Sequence, residues 1–144
     1  MIRSVREADA DALYALVQQL GHAFEPQRAA FDATLASYLA GEQPTVLLLV
    51  AEDDEGVLTG YALTTIVPLL STNGPSAQLQ EIVVADTARG GSWGTKLVRA
   101  VEDACRERGV TQLTVASRRA GGFYDRLGYH ENAEHMRRFF DDED

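Results

Sequence analysis

Cys105 is the only cysteine of this chain, which excludes an intramolecular disulfide and any zinc site built on several thiolates. Proline occurs four times and tryptophan once. No repeat, low-complexity stretch or Pro/Gly-rich linker interrupts the 144 residues, so they read as one domain, 1–144. The longest apolar run, residues 46–51, falls far short of the roughly 20 residues that span a bilayer, and no apolar leader follows Met1. A soluble cytoplasmic protein with no membrane partner is expected. Positive charge is also scarce: 13 Lys and Arg face 22 Asp and Glu, for a net charge of −9. That balance argues against nucleic acid, whose phosphates call for clustered bases, and favours a cationic small ligand such as an amine. Part of the charge is an acidic tail at residues 141–144, which reads as solvated. His22, His130 and His135 have no metal-ligand spacing, so no metal is expected.

What is present is an ordinary globular composition, 45% hydrophobic and 24% charged. The periodicity predicts a short strand at residues 2–5 and a helix from Glu7 to Gly21. A second helix follows at residues 27–39, with Phe31, Leu35 and Leu39 on one stripe. Residues 45–52 and 57–67 read as a hairpin around the turn at 53–56, and residues 68–75 as a loop. A strand at 77–85 leads to a helix at 89–108, in which Trp93, Leu97, Val101 and Cys105 stand four apart. Residues 110–116 form another strand, 121–127 a short helix, and 129–140 a last strand or bent hairpin. The predicted order is β-α-α-β-β-β-α-β-α-β, an α/β fold with about six strands and about four helices on the sheet faces.

Between the strand at 77–85 and the long helix lies Arg89-Gly90-Gly91-Ser92-Trp93-Gly94. A helix start offers about four unpaired N–H groups and partial positive charge, and small residues let a phosphate approach them. Arg89 or Lys96 would add charge. An ordinary strand-to-helix connection with flexible glycines fits the segment equally. It matches neither Gly-x-x-x-x-Gly-Lys-Ser/Thr nor Gly-x-Gly-x-x-Gly.

A wider pattern surrounds this turn: Ile82-Val83-Val84, four residues, Arg89-Gly90-Gly91-Ser92-Trp93-Gly94, and later Ala120-Gly121-Gly122-Phe123-Tyr124-Asp125-Arg126-Leu127-Gly128-Tyr129. Together with Ile2-Arg3-x-x-Arg6-Glu7-x-Asp9-Ala10, it resembles the GNAT N-acetyltransferase family over nearly the whole chain. The likeness leans toward the small-amine enzymes of that family, those acetylating aminoalkylphosphonates and aminoglycosides. It implies a mixed, mostly antiparallel sheet and acetyl-CoA as co-substrate. The acceptor it implies is a primary amine that attacks directly in a ternary complex, within a homodimer joined through an edge strand. A protein or peptide acceptor, and a non-catalytic acyl-CoA-binding module, are the alternatives.

The resemblance assigns the cofactor to Ile82, Val83, Val84, Arg89, Gly90, Gly91, Ser92, Trp93, Gly94, Thr95, Ser117 and Tyr124, with the N–H of Val83 or Val84 meeting the acetyl carbonyl. Tyr124 is the candidate proton donor to the departing thiolate, against a reading as a core tyrosine beside Phe123. Glu81 is the candidate base, against a strand-edge carboxylate paired with Arg118 or Arg119. Plain alternation turns Glu81 away from both Gln80 and Ile82. Cys105 lies on an apolar stripe and reads as core. Acceptor specificity is expected from the first two helices and the 68–75 loop.

The chain departs from the family pattern in three places. Ser92 stands at a usual glycine, where a positive φ would disfavour it. Trp93 stands at a usual small aliphatic residue, as head of the apolar stripe. The stretch from Val115 to Tyr124 is about four residues shorter than in the family, the comparison being one of loop length.

Overall fold

A computed structural model describes residues 1–21, 24–88, 90–116 and 122–140. Its strands are β1 (Ile2–Ser4), β2 (Val46–Glu52), β3 (Leu58–Pro68), β4 (Pro75–Val84) and β5 (Gln112–Val115). Its helices are α1 (Ala10–Gln18), α2 (Arg28–Leu39), α3 (Trp93–Glu107) and α4 (Phe123–Arg126). The strands form one sheet in the order β1-β2-β3-β4-β5, antiparallel except for the parallel pair β4–β5.

The described residues hold five strands, not six. Residues 129–139 join no ladder. From His130 to Arg138 the only large apolar residue is Met136, so this segment has no period-two face to bury. The long helix begins at Trp93 rather than near residue 89, because Gly90 (φ 95°) and Ser92 (φ 65°) are left-handed. The first helix is likewise shorter than its pattern: Glu7–Asp9 is a 3-10 turn and α1 ends at Gln18.

Two apolar clusters lie on the two faces of the sheet. On one, α3 inserts Leu97, Val98, Val101 and Cys105 against Leu47, Leu49, Ala62, Ile66, Ala77 and Leu79. Each buried Leu or Val of this kind stabilises by roughly 1.5–3 kcal/mol. On the other, α1 and α2 contribute Leu13, Leu16 and Leu35 against Val50, Tyr61 and Val83. Leu39, expected on the stripe of α2, is exposed instead, and α2 buries only Leu35.

Ion pairing fastens the entry to α1. The Arg3 guanidinium forks onto both Asp9 carboxylate oxygens at 2.8 and 2.9 Å and reaches Glu52 at 2.6 Å, joining β1, β2 and the 3-10 turn. Asp9 also accepts the Arg6 N–H at 2.8 Å. The hydrogen bond from Arg3 holds the Asp9 carboxyl below its ordinary pKa, against the upward push of burial.

A bulge in β4 decides which side chains face which cluster. Leu63 pairs with Glu81 and Thr64 with Leu79, leaving Gln80 as the extra residue. Ala77 and Leu79 face α3, as do Ile82 and Val84 after the bulge, while Glu81, Val83 and Ala85 turn toward α1 and α2. The Gln80 amide donates to Thr65 on that same face (2.9 Å), so Gln80 and Glu81 share a face rather than opposing each other. The bulge overrides simple alternation.

Candidate active site

The β4–β5 ladder runs from Ser76↔Gln112 to Leu79↔Val115 and stops there. Beyond it, β4 continues to Val84 beside β3 alone among the described residues. The Ala85 N–H bonds the Thr59 carbonyl across β3 at 2.7 Å. Counting back by alternation, the N–H of Val83 turns into the β3 ladder and those of Ile82 and Val84 turn to the open side. Of the two candidates for the acetyl carbonyl, Val84 is therefore the one whose N–H turns away from the β3 ladder.

The open edge leads into the glycine turn. A 3-10 turn at Asp86–Ala88 follows β4, closed by the Ala88 N–H on the Ala85 carbonyl (2.9 Å). Ser92 begins α3: its carbonyl accepts the Lys96 N–H at 3.0 Å, and its side chain caps nothing. The N–H groups of Trp93, Gly94 and Thr95 precede the first helical bond, so they are available to an anion. A Cβ on Gly90 would meet nothing, but its φ of 95° suits glycine. Gly94 packs beneath Phe123, whose Cζ would lie 3.5 Å from an added Cβ. Lys96 Nζ lies over the Trp93 ring, 4.5 Å from its centroid, which keeps a cation at the helix start. Arg89, Ser117, Arg118 and Arg119, together with His22 and the acidic tail at 141–144, lie outside the described residues.

Glu81 lies on the open stretch of β4, where its Oε1 accepts a hydrogen bond from the Tyr61 hydroxyl at 2.8 Å. Burial, then the neighbouring Glu81 charge, push the Tyr61 phenol far above its ordinary pKa, so it is a permanent donor to the carboxylate. Tyr38 is raised for the same two reasons in the same order. These three groups line a cavity of about 220 Å³ between α1, α2 and the sheet. The 68–75 loop does not line it. That loop sits at the opposite end of β4, where the Thr72 carbonyl accepts the Thr111 hydroxyl at 2.7 Å.

Tyr124 lies on the other face. It packs edge-on against Phe123 (4.9 Å) and Tyr129 (5.7 Å), beside the α3 cluster. Burial raises its phenol above the ordinary value, so it stays protonated through the neutral range. Its hydroxyl has no hydrogen-bond partner among the described residues. Glu81 and Tyr124 thus line different cavities, on either side of the parted β4–β5 seam. Cys105 is buried in the α3 cluster. No three or more His, Cys, Asp or Glu among the described residues are grouped to hold a metal. No helix among them is long and apolar enough to cross a membrane.

A strand that bulges, parts from its parallel neighbour and runs into an uncapped helix start is a specific arrangement. The sequence profile of the acetyltransferase (GNAT) family matches residues 10–129. The chain belongs to this family. GNAT enzymes are N-acetyltransferases that draw on acetyl-CoA, and the free donors along β4 and at the start of α3 fit such a ligand. Among solved structures, the chain is similar to glucosamine-6-phosphate N-acetyltransferase from Arabidopsis thaliana, with TM-score 0.83 and 21% identity over 97% of each chain. It is similar to the aminoglycoside 6'-N-acetyltransferase of Acinetobacter haemolyticus, with TM-score 0.77 and 18% identity over 96% of this chain and 97% of that one. The ribosomal-protein-alanine N-acetyltransferase of Brucella melitensis gives TM-score 0.76 and 20% identity, over 96% and 99%. At such identities these neighbours speak for the fold. No curated protein matches by sequence.

Two residues of the site escape the sequence: Tyr61 and Tyr38. Each stands in an ordinary strand or helix pattern. Only the pairing of β3 with β4 and the packing of α2 bring them to Glu81.

Proposed function

We propose that this chain is an acetyl-CoA-dependent N-acetyltransferase for a small primary amine, working by direct attack within a ternary complex. The observation that carries this reading is the open edge of β4, which joins the Glu81 cavity at one end to the uncapped start of α3 at the other. Acetyl-CoA supplies an activated acyl group. The N–H groups at the start of α3, with Gly90, Gly91, Ser92, Trp93, Gly94 and Thr95, hold its pyrophosphate, and Arg89 and Ser117 flank it. Ile82, Val83 and Val84 line its pantetheine and acetyl end, with the Val84 N–H donating to the carbonyl oxygen as negative charge gathers there. Glu81, oriented by the Tyr61 hydroxyl, takes a proton from the incoming ammonium so that a neutral amine can attack. Tyr124 donates its phenolic proton to the departing sulfur. A homodimer through an edge strand completes this reading, and sedimentation checks it.

The test is thiol release from acetyl-CoA across an amine panel, run with Tyr124→Phe beside the parent. Release with at least one amine is expected, and loss of the phenol should lower kcat by about 10²-fold while acetyl-CoA binding is kept. Failure to bind acetyl-CoA refutes the proposal. Binding without release for any amine turns the reading to a non-catalytic acyl-CoA-binding module.

A further inference from the structure

The cavity under α2 describes the body of its ligand as well as the reacting group. Its walls are Leu13 and Val17 from α1, Phe31 and Leu35 from α2, and Leu48 and Leu63 from the sheet. Its charged group is Glu81, with the Tyr61 and Tyr38 phenols as neighbours, and Gln27 and Thr34 lie at its exposed rim. None of the described residues lining it carries positive charge. The nearby Arg28 is engaged elsewhere: it bonds Asp11 and Asp32 at 2.8 Å each and lies over the Tyr14 and Phe31 rings.

These facts select a chemistry. A phosphate or carboxylate entering here would face the Glu81 carboxylate with no lining cation to compensate it. A polyhydroxylated body would place its hydroxyls against aliphatic walls, where each one left unpaired loses its hydrogen bonds to water. An ammonium finds a carboxylate, and a hydrocarbon finds Leu, Val and Phe. The volume of about 220 Å³ equals about seven liquid waters at roughly 30 Å³ each, room for one ring or a short branched chain.

We infer that the acceptor is a primary amine on a small, uncharged apolar body, of the arylalkylamine or branched alkylamine class, and not a phosphorylated, carboxylated or polyhydroxylated amine. The inference rests on the N-acetyltransferase reading of this site and narrows it. The product is the N-acetyl amide of that amine. The C–N bond forms and the thioester C–S bond breaks. The ammonium nitrogen loses two protons, one through Glu81 to solvent before attack and one after the C–N bond has formed, the second replacing the proton that Tyr124 gives to the sulfur.

The experiment compares kcat/KM for phenethylamine and isoamylamine with that for glucosamine 6-phosphate and kanamycin, by thiol release from acetyl-CoA. Calorimetry measures phenethylamine binding separately. The two apolar amines should exceed the others at least tenfold. Ala30→Phe, at an exposed position of α2 that also borders the cavity, should raise KM for phenethylamine at least tenfold and leave that for acetyl-CoA unmoved. Highest turnover with glucosamine 6-phosphate or kanamycin overturns the substrate class and leaves the acetyltransferase reading standing. An unmoved phenethylamine KM in Ala30→Phe also overturns it. Phenethylamine binding without thiol release from any amine supports the apolar pocket and overturns catalysis. Neither binding nor release overturns both.

Discussion

The two faces of the sheet are built to different standards. On the α3 face, one helix drives four buried residues, Leu97, Val98, Val101 and Cys105, into an apolar cluster against the sheet. On the α1–α2 face, α2 buries only Leu35, the cavity opens beside it, and a carboxylate hydrogen-bonded to a tyrosine stands in its wall. A helix with a full apolar stripe closes down on the sheet; one with a thin stripe stands off and leaves room. The difference separates a face that anchors the glycine turn from a face that leaves an open cavity.

The largest test of that contrast is chemical. Glu81→Gln keeps an acceptor for the Tyr61 hydroxyl but removes the proposed base, so kcat should fall by about 10²-fold with the melting temperature nearly unchanged. Equal loss of stability and activity would mean that Glu81 serves the fold instead.

Next comes a matched pair of truncations. Leu97→Ala empties a fully buried site on the α3 face and should cost about 3–4 kcal/mol by urea unfolding. Leu35→Ala removes a wall that already borders empty space, so it should cost about 2 kcal/mol and change the acceptor KM. Equal costs would erase the distinction between the faces.

The entry to α1 is also fastened by a largely buried ion pair. Asp9→Asn leaves Glu52 as the one carboxylate hydrogen-bonded to Arg3 and should cost about 2 kcal/mol at neutral pH. The folded pKa of Asp9 is depressed below its unfolded value of 3.8. Its contribution is therefore complete above that value and is lost as pH falls through the lower folded one. Parent and variant should converge in stability only under acid below about pH 4, as measured by unfolding at stepped pH.

The smallest effects lie at two blemishes flanking the donor groove. Ser92 holds a left-handed φ of 65°, so Ser92→Gly should stabilise by about 1 kcal/mol. The Thr64 hydroxyl, buried opposite the bulge, has no partner among the described residues, and Thr64→Val should stabilise by about 1 kcal/mol. Thermal denaturation reads both.

Much of the α3 side was legible in the chain. The Trp93-Leu97-Val101-Cys105 spacing predicts a buried helix, and the glycines before it predict its irregular start. Ser92, flagged as unsuited to a positive φ, does adopt one. The expected last strand does not form, because 129–140 carries too little apolar alternation to join the sheet. The loop at 68–75 lies at the far end of β4 from the Glu81 cavity, since loop polarity says nothing about which end of a strand a cavity opens at.

The sequence by itself determined the family and the strand-turn-helix around the glycines, and offered Glu81 and Tyr124 as candidates. Those are local properties, set by periodicity, glycine placement and short motifs. Only the tertiary structure decided that Glu81 turns toward α2, because one extra residue in β4 shifts the parity of every side chain after it. Only packing brought Tyr61 and Tyr38 to that carboxylate, and left an apolar space beside it. Neither outcome is encoded in a residue's neighbours along the chain; both depend on which strand and which helix lie alongside.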